Sequence, residues 1–205
     1  MTLEDALAEA PIVAIIRGVT PEEVLAQVDA LCRAGVRVVE VPLNSPHPMR
    51  SIQLAAEAFR GRMVVGAGTV LTPAQVDEVA DAGGRIAVAP NTDPAVIRHA
   101  LARGLEPFPG FATATEAFAA YAAGARRLKL FPASTYGTAH LRALMAVLPK
   151  DAAVYAVGGA GPDTMAEWRA SGAQGFGLGS DLYKPGQGAA ETFEKAARAV
   201  AAAKA

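Results

Sequence analysis

The first candidate for chemistry is Lys129, a cation inside a short apolar run. It lies between Leu128 and Leu130, in a segment that is typical of a buried strand. Burial lowers the pKa of a lysine, and the resulting neutral amine can attack a carbonyl group and form a Schiff base. The alternative is that Lys129 extends its ammonium group out of the strand end into water. Imine chemistry is therefore the first hypothesis for this chain.

Glu40 is the second candidate, because it is an acid in a segment otherwise made of valine, residues 38–41. A carboxyl group with a raised pKa could transfer protons. Arg17 could bind a substrate carboxylate through a bidentate pair, and Thr69 could do so through its hydroxyl. The alternatives are structural, since Glu40 could form a salt bridge to Arg17 or Lys129. Arg17 could equally be an ion-pair partner and nothing more.

The elements that must position these residues follow from a repeated pattern. Short apolar runs, which predict strands, alternate with stretches of helical composition. The runs cover residues 12–16, 37–41, 63–66, 85–89, 105–108, 127–131, 153–157 and 174–178. About eight strand-helix units favour an α/β fold of the closed (β/α)8 TIM barrel type over an open doubly wound sheet. No linker or charge block divides the chain, so residues 1–205 are expected to form a single domain.

Residue types also mark the helix boundaries. Five segments begin with combinations suited to a helix start: Thr20-Pro21-Glu22-Glu23, Thr72-Pro73, Asp93-Pro94, Thr113 with Glu116, and Pro162-Asp163. Five segments close at a glycine suited to the left-handed conformation that ends many helices: Gly35, Gly83, Gly104, Gly124 and Gly172.

A barrel gives the strand ends a common location, because its active site lies at the C-terminal mouth. The candidate site residues are found at those ends: Arg17, Glu40, Asn44, Thr69, Pro90, Lys129, Phe131, Val157, Gly158, Gly159, Gly179 and Ser180. The glycine turns 158–159 and 179–180 follow strands seven and eight, where barrels often hold phosphate. Their backbone N–H groups can approach phosphate oxygens closely.

Composition excludes several classes of function. The chain is 52% hydrophobic and 19% charged, which argues against disorder, and its formal net charge of -1 gives no electrostatic reason to expect nucleic acid or a membrane surface. The single Cys32 excludes an intramolecular disulfide and fits a reducing cytoplasm. Residues 1–11 do not resemble a signal peptide. The three histidines are isolated, so no metal site is expected.

Several motifs, taken in order along the chain, resemble those of the 2-keto-3-deoxy-6-phosphogluconate (KDPG) and 6-phosphogalactonate aldolases. The matching segments are Ile15-Ile16-Arg17-Gly18, Glu40-Val41-Pro42-Leu43-Asn44-Ser45-Pro46, Gly66-Ala67-Gly68-Thr69-Val70-Leu71, Pro109-Gly110, Lys129-Leu130-Phe131-Pro132, Val157-Gly158-Gly159 and Gly179-Ser180-Asp181-Leu182-Tyr183. The resemblance implies a class I aldolase, a trimeric barrel that needs no metal or other cofactor. Such an enzyme reversibly splits a phosphorylated 2-keto-3-deoxy sugar acid into pyruvate and D-glyceraldehyde 3-phosphate.

The resemblance also implies roles for individual residues. Lys129 would form the Schiff base, and Glu40 would be the general acid and base. Arg17 and Thr69 would hold the pyruvyl carboxylate, and the two glycine turns would hold the phosphate. The chain departs from the gluconate-type pattern at two positions, Asn44 in place of an arginine and Val157 in place of a threonine. Both departures match the galactonate branch of the family.

Two other interpretations remain open at this point. A phosphate-binding barrel with different chemistry, such as an isomerase or a synthase of the phosphoribosyl or thiamin-phosphate type, would share the glycine turns but would not require Lys129 beside Glu40. A non-catalytic sensor of sugar phosphates would share the fold, and fold alone does not define function. Neither interpretation explains a buried amine. The role of Ser134, Thr135 and Tyr136, just past the lysine strand, stays undefined.

Overall fold

The computed structural model describes residues 1–204, which contain nine strands and nine helices. The strands are β1 (Ile12–Ile15), β2 (Val38–Pro42), β3 (Val64–Gly68), β4 (Ile86–Val88), β5 (Glu106–Phe108), β6 (Gly110–Phe111), β7 (Arg127–Leu130), β8 (Ala153–Val157) and β9 (Gly175–Leu178). The helices are α1 (Leu3–Glu9), α2 (Val24–Arg33), α3 (Pro48–Ala58), α4 (Pro73–Asp81), α5 (Pro94–Ala102), α6 (Ala114–Ala122), α7 (Ala133–Met145), α8 (Met165–Ala170) and α9 (Ala189–Lys204).

The strands form one parallel sheet in the order β5-β4-β3-β2-β1-β9-β8-β7-β6. Each of the eight predicted runs contains a strand, and the predicted barrel is confirmed. The fifth unit differs, because a second short strand, β6, follows β5 beyond the predicted run, after Pro109, which has no N–H to donate to a ladder. β5 pairs with β4 and β6 pairs with β7. β5 and β6 therefore connect the β4 side of the sheet to the β7 side and complete the barrel.

Side chains alternate between the barrel interior and the helix layer, as the two-residue period of a strand requires. On β2, Val39 and Val41 pack in the larger cluster between sheet and helices, whereas Val38 belongs to a separate interior cluster. Glu40 has the same parity as Val38 and faces inward. On β7, Leu128 and Leu130 face the helices, which leaves Lys129 inside.

The helix caps fit the sequence at three of the five predicted starts. Thr72, Asp93 and Thr113 each accept a hydrogen bond from a backbone N–H of the first turn. Two helices begin later than predicted. α2 begins at Val24, after a turn in which Thr20 is already bonded, and α8 begins at Met165. All five predicted terminal glycines have positive φ.

An additional helix, α1, closes the N-terminal end of the barrel. Its buried residues Leu3, Ala6 and Leu7 belong to the interior cluster. The guanidinium group of Arg127 lies 2.8 Å from the carboxylate of Glu4 on α1 and 2.7 Å from that of Glu106 on β5. No helix within residues 1–204 combines the length and apolar character needed to cross a membrane.

Candidate active site

Lys129 and Glu40 line the same small cavity inside the barrel. Lys129 on β7 is 7% exposed and Glu40 on β2 is 2% exposed. The cavity is lined by both residues and by Val13, Ile15, Val88, Phe108, Tyr155, Val157 and Gly177. An amine and a carboxyl group thus share an otherwise apolar enclosure, which is the arrangement that the sequence predicts.

Burial shifts both groups toward their neutral forms. It raises the pKa of Glu40 to about 7, although the positive charges of Lys129 and Arg17 oppose the rise. Burial also lowers the pKa of Lys129; the charge of Glu40 opposes this change and that of Arg17 adds to it. A carboxyl group with a pKa near neutral can serve as a proton donor and acceptor, and a lysine with a lowered pKa is more often in the neutral form that attacks carbonyl groups.

The contacts of the pair do not fit the structural alternatives. Within residues 1–204, Glu40 makes no ion pair within 4 Å, and its buried Oε2 atom has no hydrogen-bond partner. Lys129 is only 7% exposed, and its Nζ atom lies 4.7 Å from the centre of the Phe131 ring. Both polar groups are thus left able to contact a bound molecule.

Arg17 and Asn44 meet at the mouth, where both are exposed. Arg17 follows β1, and its Nη1 donates a hydrogen bond to Oδ1 of Asn44 in the loop after β2. The adjacent Ser45 is buried, and its Oγ accepts a hydrogen bond of 2.9 Å from the backbone N–H of Gly18. The two loops are therefore joined twice. The sequence did not single out Ser45, since a serine in a loop motif carries no signal of burial.

Thr69 follows β3 directly and has a strained backbone. Its φ of 60° lies in the left-handed region, which is an outlier for a β-branched residue. Such strain is frequent at ligand sites, where the surrounding structure maintains it. Thr69 is half-buried, and its hydroxyl makes no hydrogen bond to any other residue that the structure describes. The hydroxyl is free to bind a carboxylate.

The Gly158-Gly159 turn follows β8 and has φ values of 87° and 83°. A Cβ atom on Gly158 would lie 3.4 Å from the Phe131 ring, and one on Gly159 would lie 2.5 Å from the Cβ of Ser134. Both positions thus require glycine. The backbone N–H of Ser134 donates to the oxygen of Gly158 at 2.9 Å. Ser134 therefore helps to position this turn.

The second turn, Gly179-Ser180, follows β9, the neighbour of β8 in the sheet. The oxygen of Gly179 accepts hydrogen bonds from the backbone N–H groups of Leu182 and Tyr183, at 2.9 and 3.0 Å. Ser180 is exposed. Because β8 and β9 are adjacent and parallel, the two turns lie side by side and could bind one anion together.

Pro90 and Val157 differ in their relation to the cavity. Val157 is buried and lines the interior beside Lys129. Pro90 is half-buried after β4 and does not line the cavity; its backbone lies against Gly110, where a Cβ would approach the Pro90 oxygen to 2.3 Å. Pro90 therefore lies just after the end of β4, next to the split between β5 and β6.

The interior residues Phe108 and Tyr155 were not predicted from the sequence. Their rings meet edge to face, with centroids 5.2 Å apart, and line the cavity together with Ile15 and Val88. The available signal was the two-residue alternation, which places Tyr155 on the same face of β8 as Val157. Tyr136 and His140 pack together elsewhere, with ring centroids 5.1 Å apart. Within residues 1–204 no three metal-ligating side chains come together.

Comparison with known proteins agrees with this geometry. The family model for "Aldolase: KDPG and KHG aldolase" matches residues 3–198. The 2-dehydro-3-deoxy-6-phosphogalactonate aldolase of Escherichia coli (strain K12) is 50% identical over 192 residues, which cover 94% of each protein. A solved structure described as native KDPGal is 48% identical with a TM-score of 0.94, over 96% of this chain and 95% of that chain.

A second solved structure is a cube-shaped protein cage designed by fusing symmetric oligomeric domains. It is 49% identical with a TM-score of 0.93, and the match covers 95% of this chain and 72% of that chain. Sequence and fold agree over nearly the whole length of this chain in all of these comparisons. The chain therefore belongs to the KDPG and KHG aldolase family.

Proposed function

We propose that this protein is a class I aldolase that reversibly cleaves 2-dehydro-3-deoxy-6-phosphogalactonate to pyruvate and D-glyceraldehyde 3-phosphate. The observation that carries the proposal is the enclosure of Lys129 and Glu40 in one apolar cavity, with burial acting on the pKa of each. The name of the Escherichia coli relative supports the substrate. Val157 and Asn44 support it as well, because they match the galactonate branch.

In the first half of the reaction, the neutral amine of Lys129 adds to the C2 ketone of the substrate. Glu40 donates the proton that lets the carbinolamine lose water, which leaves a protonated imine and the Glu40 carboxylate. A pKa of about 7 suits this exchange, since both forms of Glu40 are populated near neutral pH. The imine nitrogen then carries the positive charge that attracts electrons from C3.

In the second half, the Glu40 carboxylate takes the proton of the C4 hydroxyl, and the C3–C4 bond breaks. The electron pair of that bond moves into the imine system and forms an enamine, while the C4 oxygen becomes the aldehyde of glyceraldehyde 3-phosphate. The enamine takes up a proton at C3, and hydrolysis of the pyruvate imine restores Lys129. Among the residues that the structure describes, no other nucleophilic amine lines the cavity.

The residues at the mouth would orient the substrate. Arg17 and the free hydroxyl of Thr69 are proposed to bind the pyruvyl carboxylate, with Asn44 holding the guanidinium group in place. The turns at 158–159 and 179–180 are proposed to bind the phosphate through backbone N–H groups. Phe131 is proposed to pack between the amine and the first turn, since its ring approaches both.

The test is cleavage of the two C4-epimeric phosphorylated acids, followed by trapping with borohydride in the presence of pyruvate. The wild-type protein should form pyruvate from both acids, with the higher kcat/KM for the galactonate epimer, and should carry the reduced adduct on Lys129. Lys129→Ala and Lys129→Arg should lose cleavage and adduct together, because a guanidinium stays protonated. The exposed Lys150→Ala is the matched control. Near-native turnover by Lys129→Ala would contradict the mechanism.

The same assay separates the remaining alternatives. A sugar-phosphate sensor or a phosphate-binding barrel with other chemistry would bind the phosphorylated acids without forming an adduct on Lys129.

The assembly and the location are proposals too. We propose a homotrimer of single-domain chains of residues 1–205, in line with the symmetric oligomeric domains of the cage structure. We propose a cytoplasmic location, which suits the free thiol of Cys32.

A further inference from the structure

Gly68, the last residue of β3, lies against the carboxyl group of Glu40. In the sheet register Glu40 pairs with Gly66, and Gly68 lies opposite Pro42, one interior position closer to the mouth. A Cβ atom on Gly68 would lie 1.4 Å from Oε2 of Glu40 and 2.3 Å from its Cδ. The carboxyl group thus leans along the barrel toward the mouth, into the space that the missing side chain leaves.

Other interior glycines are required for a different reason. A Cβ on Gly66 would lie 2.2 Å from the backbone oxygen of Ile86, and one on Gly175 would meet the ring of Tyr155 at 2.2 Å. Those contacts involve backbone or a packed ring, so they serve the barrel itself. At Gly68 the three nearest atoms all belong to the Glu40 carboxyl group, the movable end of a side chain. Gly68 also has no positive φ, so alanine would fit its backbone.

We propose that Gly68 is a positioning residue for Glu40, which keeps the carboxyl group within reach of the reacting atoms. This inference rests on the proposed function, in which Glu40 exchanges protons with the substrate. A methyl group at position 68 would rotate the carboxyl group away and leave the fold intact. Displacement of a catalytic group by about 1 Å can reduce a rate on the order of 10²-fold.

The first test is Gly68→Ala in the cleavage assay. The expected result is a decrease of about 10²-fold in kcat with little change in KM, because alanine fits the backbone of position 68 and leaves the Arg17 and Thr69 side chains and the phosphate turns unaltered. The borohydride-trapped pyruvate adduct on Lys129 should still form, although more slowly. Gly188→Ala is the matched control, since a Cβ there meets nothing within 4 Å and its kcat should be unchanged. A kcat for Gly68→Ala within about twofold of wild type would overturn the proposal.

The second test is a double-mutant cycle with Glu40→Asp, which shortens the acid by one methylene and draws it away from position 68. If Gly68 acts through Glu40, the Gly68→Ala/Glu40→Asp protein should be far more active than the product of the two single effects predicts. Multiplicative effects would show that Gly68 acts elsewhere. Should Gly68→Ala fail to fold, the double variant should fold, since it removes the clash; equal unfolding of both would also overturn the proposal.

The two proposals fail in distinguishable ways. If the wild-type protein forms neither pyruvate nor the Lys129 adduct, the proposed function is wrong. If the wild type is active and Gly68→Ala keeps a kcat within about twofold of wild type, only the role of Gly68 is wrong. A merely structural glycine would lower the midpoint of urea unfolding without changing the pH at which kcat is half-maximal.

Discussion

At the residue scale, the decisive balance is between burial and charge attraction at Lys129 and Glu40. The ion pair and the neutral pair contain the same number of protons; in water the ordinary pKa values of 10.5 and 4.5 strongly favour the ion pair, and burial opposes that preference. Their attraction is below about 4 kcal/mol, since the charges are more than 4 Å apart, whereas burying each ion costs several kcal/mol. Burial is also the largest influence on both pKa values. Burial therefore shifts the pair toward the neutral amine and the protonated acid, which imine formation needs.

Glu40→Gln tests the proton transfer separately from the nucleophile. Glutamine keeps the size of the side chain but does not exchange a proton, so kcat should fall by about 10² to 10⁴-fold. Some Lys129 adduct should still form slowly with pyruvate and borohydride. Steady-state kinetics at pH 7 measures the decrease. A variant that turns over at the wild-type rate would make Glu40 a structural residue.

Glu40 should also make the stability of the protein depend on pH. Its pKa rises from an ordinary 4.5 to about 7 on folding, so the folded state holds the proton more tightly and wild type loses stability as pH rises between these values. The Glu40→Gln protein should not lose stability in this way, because glutamine does not titrate. The free energy of unfolding of Glu40→Gln relative to wild type should therefore increase by up to about 3 kcal/mol across this interval. Urea unfolding at several pH values measures it.

The matched comparison is made in a Lys129→Met background, where no amine is coupled to the acid. Without the opposing charge the pKa of Glu40 rises further, because Lys129 lowers it. In this background the stabilising effect of Glu40→Gln should still increase with pH, and the increase should continue to higher pH. If the Lys129→Met protein and the Lys129→Met/Glu40→Gln protein differed in stability by the same amount at every pH, the raised pKa of Glu40 would be contradicted.

Val157→Thr addresses the choice between epimers. Val157 lines the cavity just before the phosphate turn, where it offers no hydroxyl to pair with a substrate group. A threonine should improve kcat/KM for the gluconate acid and narrow the galactonate preference, by a free energy on the order of one hydrogen bond, about 1 kcal/mol. The kcat/KM ratio of the two acids gives the result. Val157→Ala, which lacks the hydroxyl, is the control, and equal ratios in both variants would show that the hydroxyl is not the cause.

At the element scale, the sequence predicted those features that depend on contacts between residues close together in the chain. The caps at Thr72, Asp93 and Thr113 depend on hydrogen bonds within one turn, and they are where the sequence indicates. The split of the fifth strand at Pro109 depends on two different neighbours, β4 and β7, which no local pattern reveals. The closing role of α1 likewise depends on contacts with distant strands, since Leu3 and Leu7 pack in the interior cluster and Glu4 pairs with Arg127.

The candidate site was predictable to the same extent. Lys129 and Glu40 stand out because a charge in an apolar run conflicts with its surroundings. Ser45 and Gly68 conflict with nothing in the sequence, and their significance comes from the atoms of other strands and loops that they approach. The placement of the acid and the amine in one cavity agrees with the sequence, and their catalytic roles stay predictions.

Leu7→Ala tests whether α1 stabilises the barrel without taking part in the reaction. Leu7 is 9% exposed and packs in the interior cluster, so the truncation should lower the free energy of unfolding by about 2 to 4 kcal/mol. Below the unfolding transition, KM and the Lys129 adduct should match wild type. Leu25→Ala, at a position 40% exposed on α2, should change stability by less than about 0.5 kcal/mol. An equal loss in both variants would mean that α1 packs only loosely.

At the scale of the whole molecule, α6 has an unusual outer surface. Its sequence from Ala114 to Ala122 contains Glu116 as its one charged residue, and that carboxylate caps the helix N-terminus. Phe118 on the same helix is 42% exposed. A helix facing water usually carries several charges on its outer face. An apolar face of this kind suits contact with another copy of the chain, as the proposed trimer requires.

Phe118→Glu should therefore dissociate the proposed trimer, because the interface would have to bury an unpaired charge. Native mass spectrometry or sedimentation should give roughly three times the 21.0 kDa chain mass for wild type and a single chain for the variant. Leu25→Glu is the matched control, since Leu25 is equally exposed but lies on α2 near the charged Asp29 and Arg33. It should remain a trimer. A trimeric Phe118→Glu protein would place the interface on another face, and a monomeric wild type would remove the trimer from the proposal.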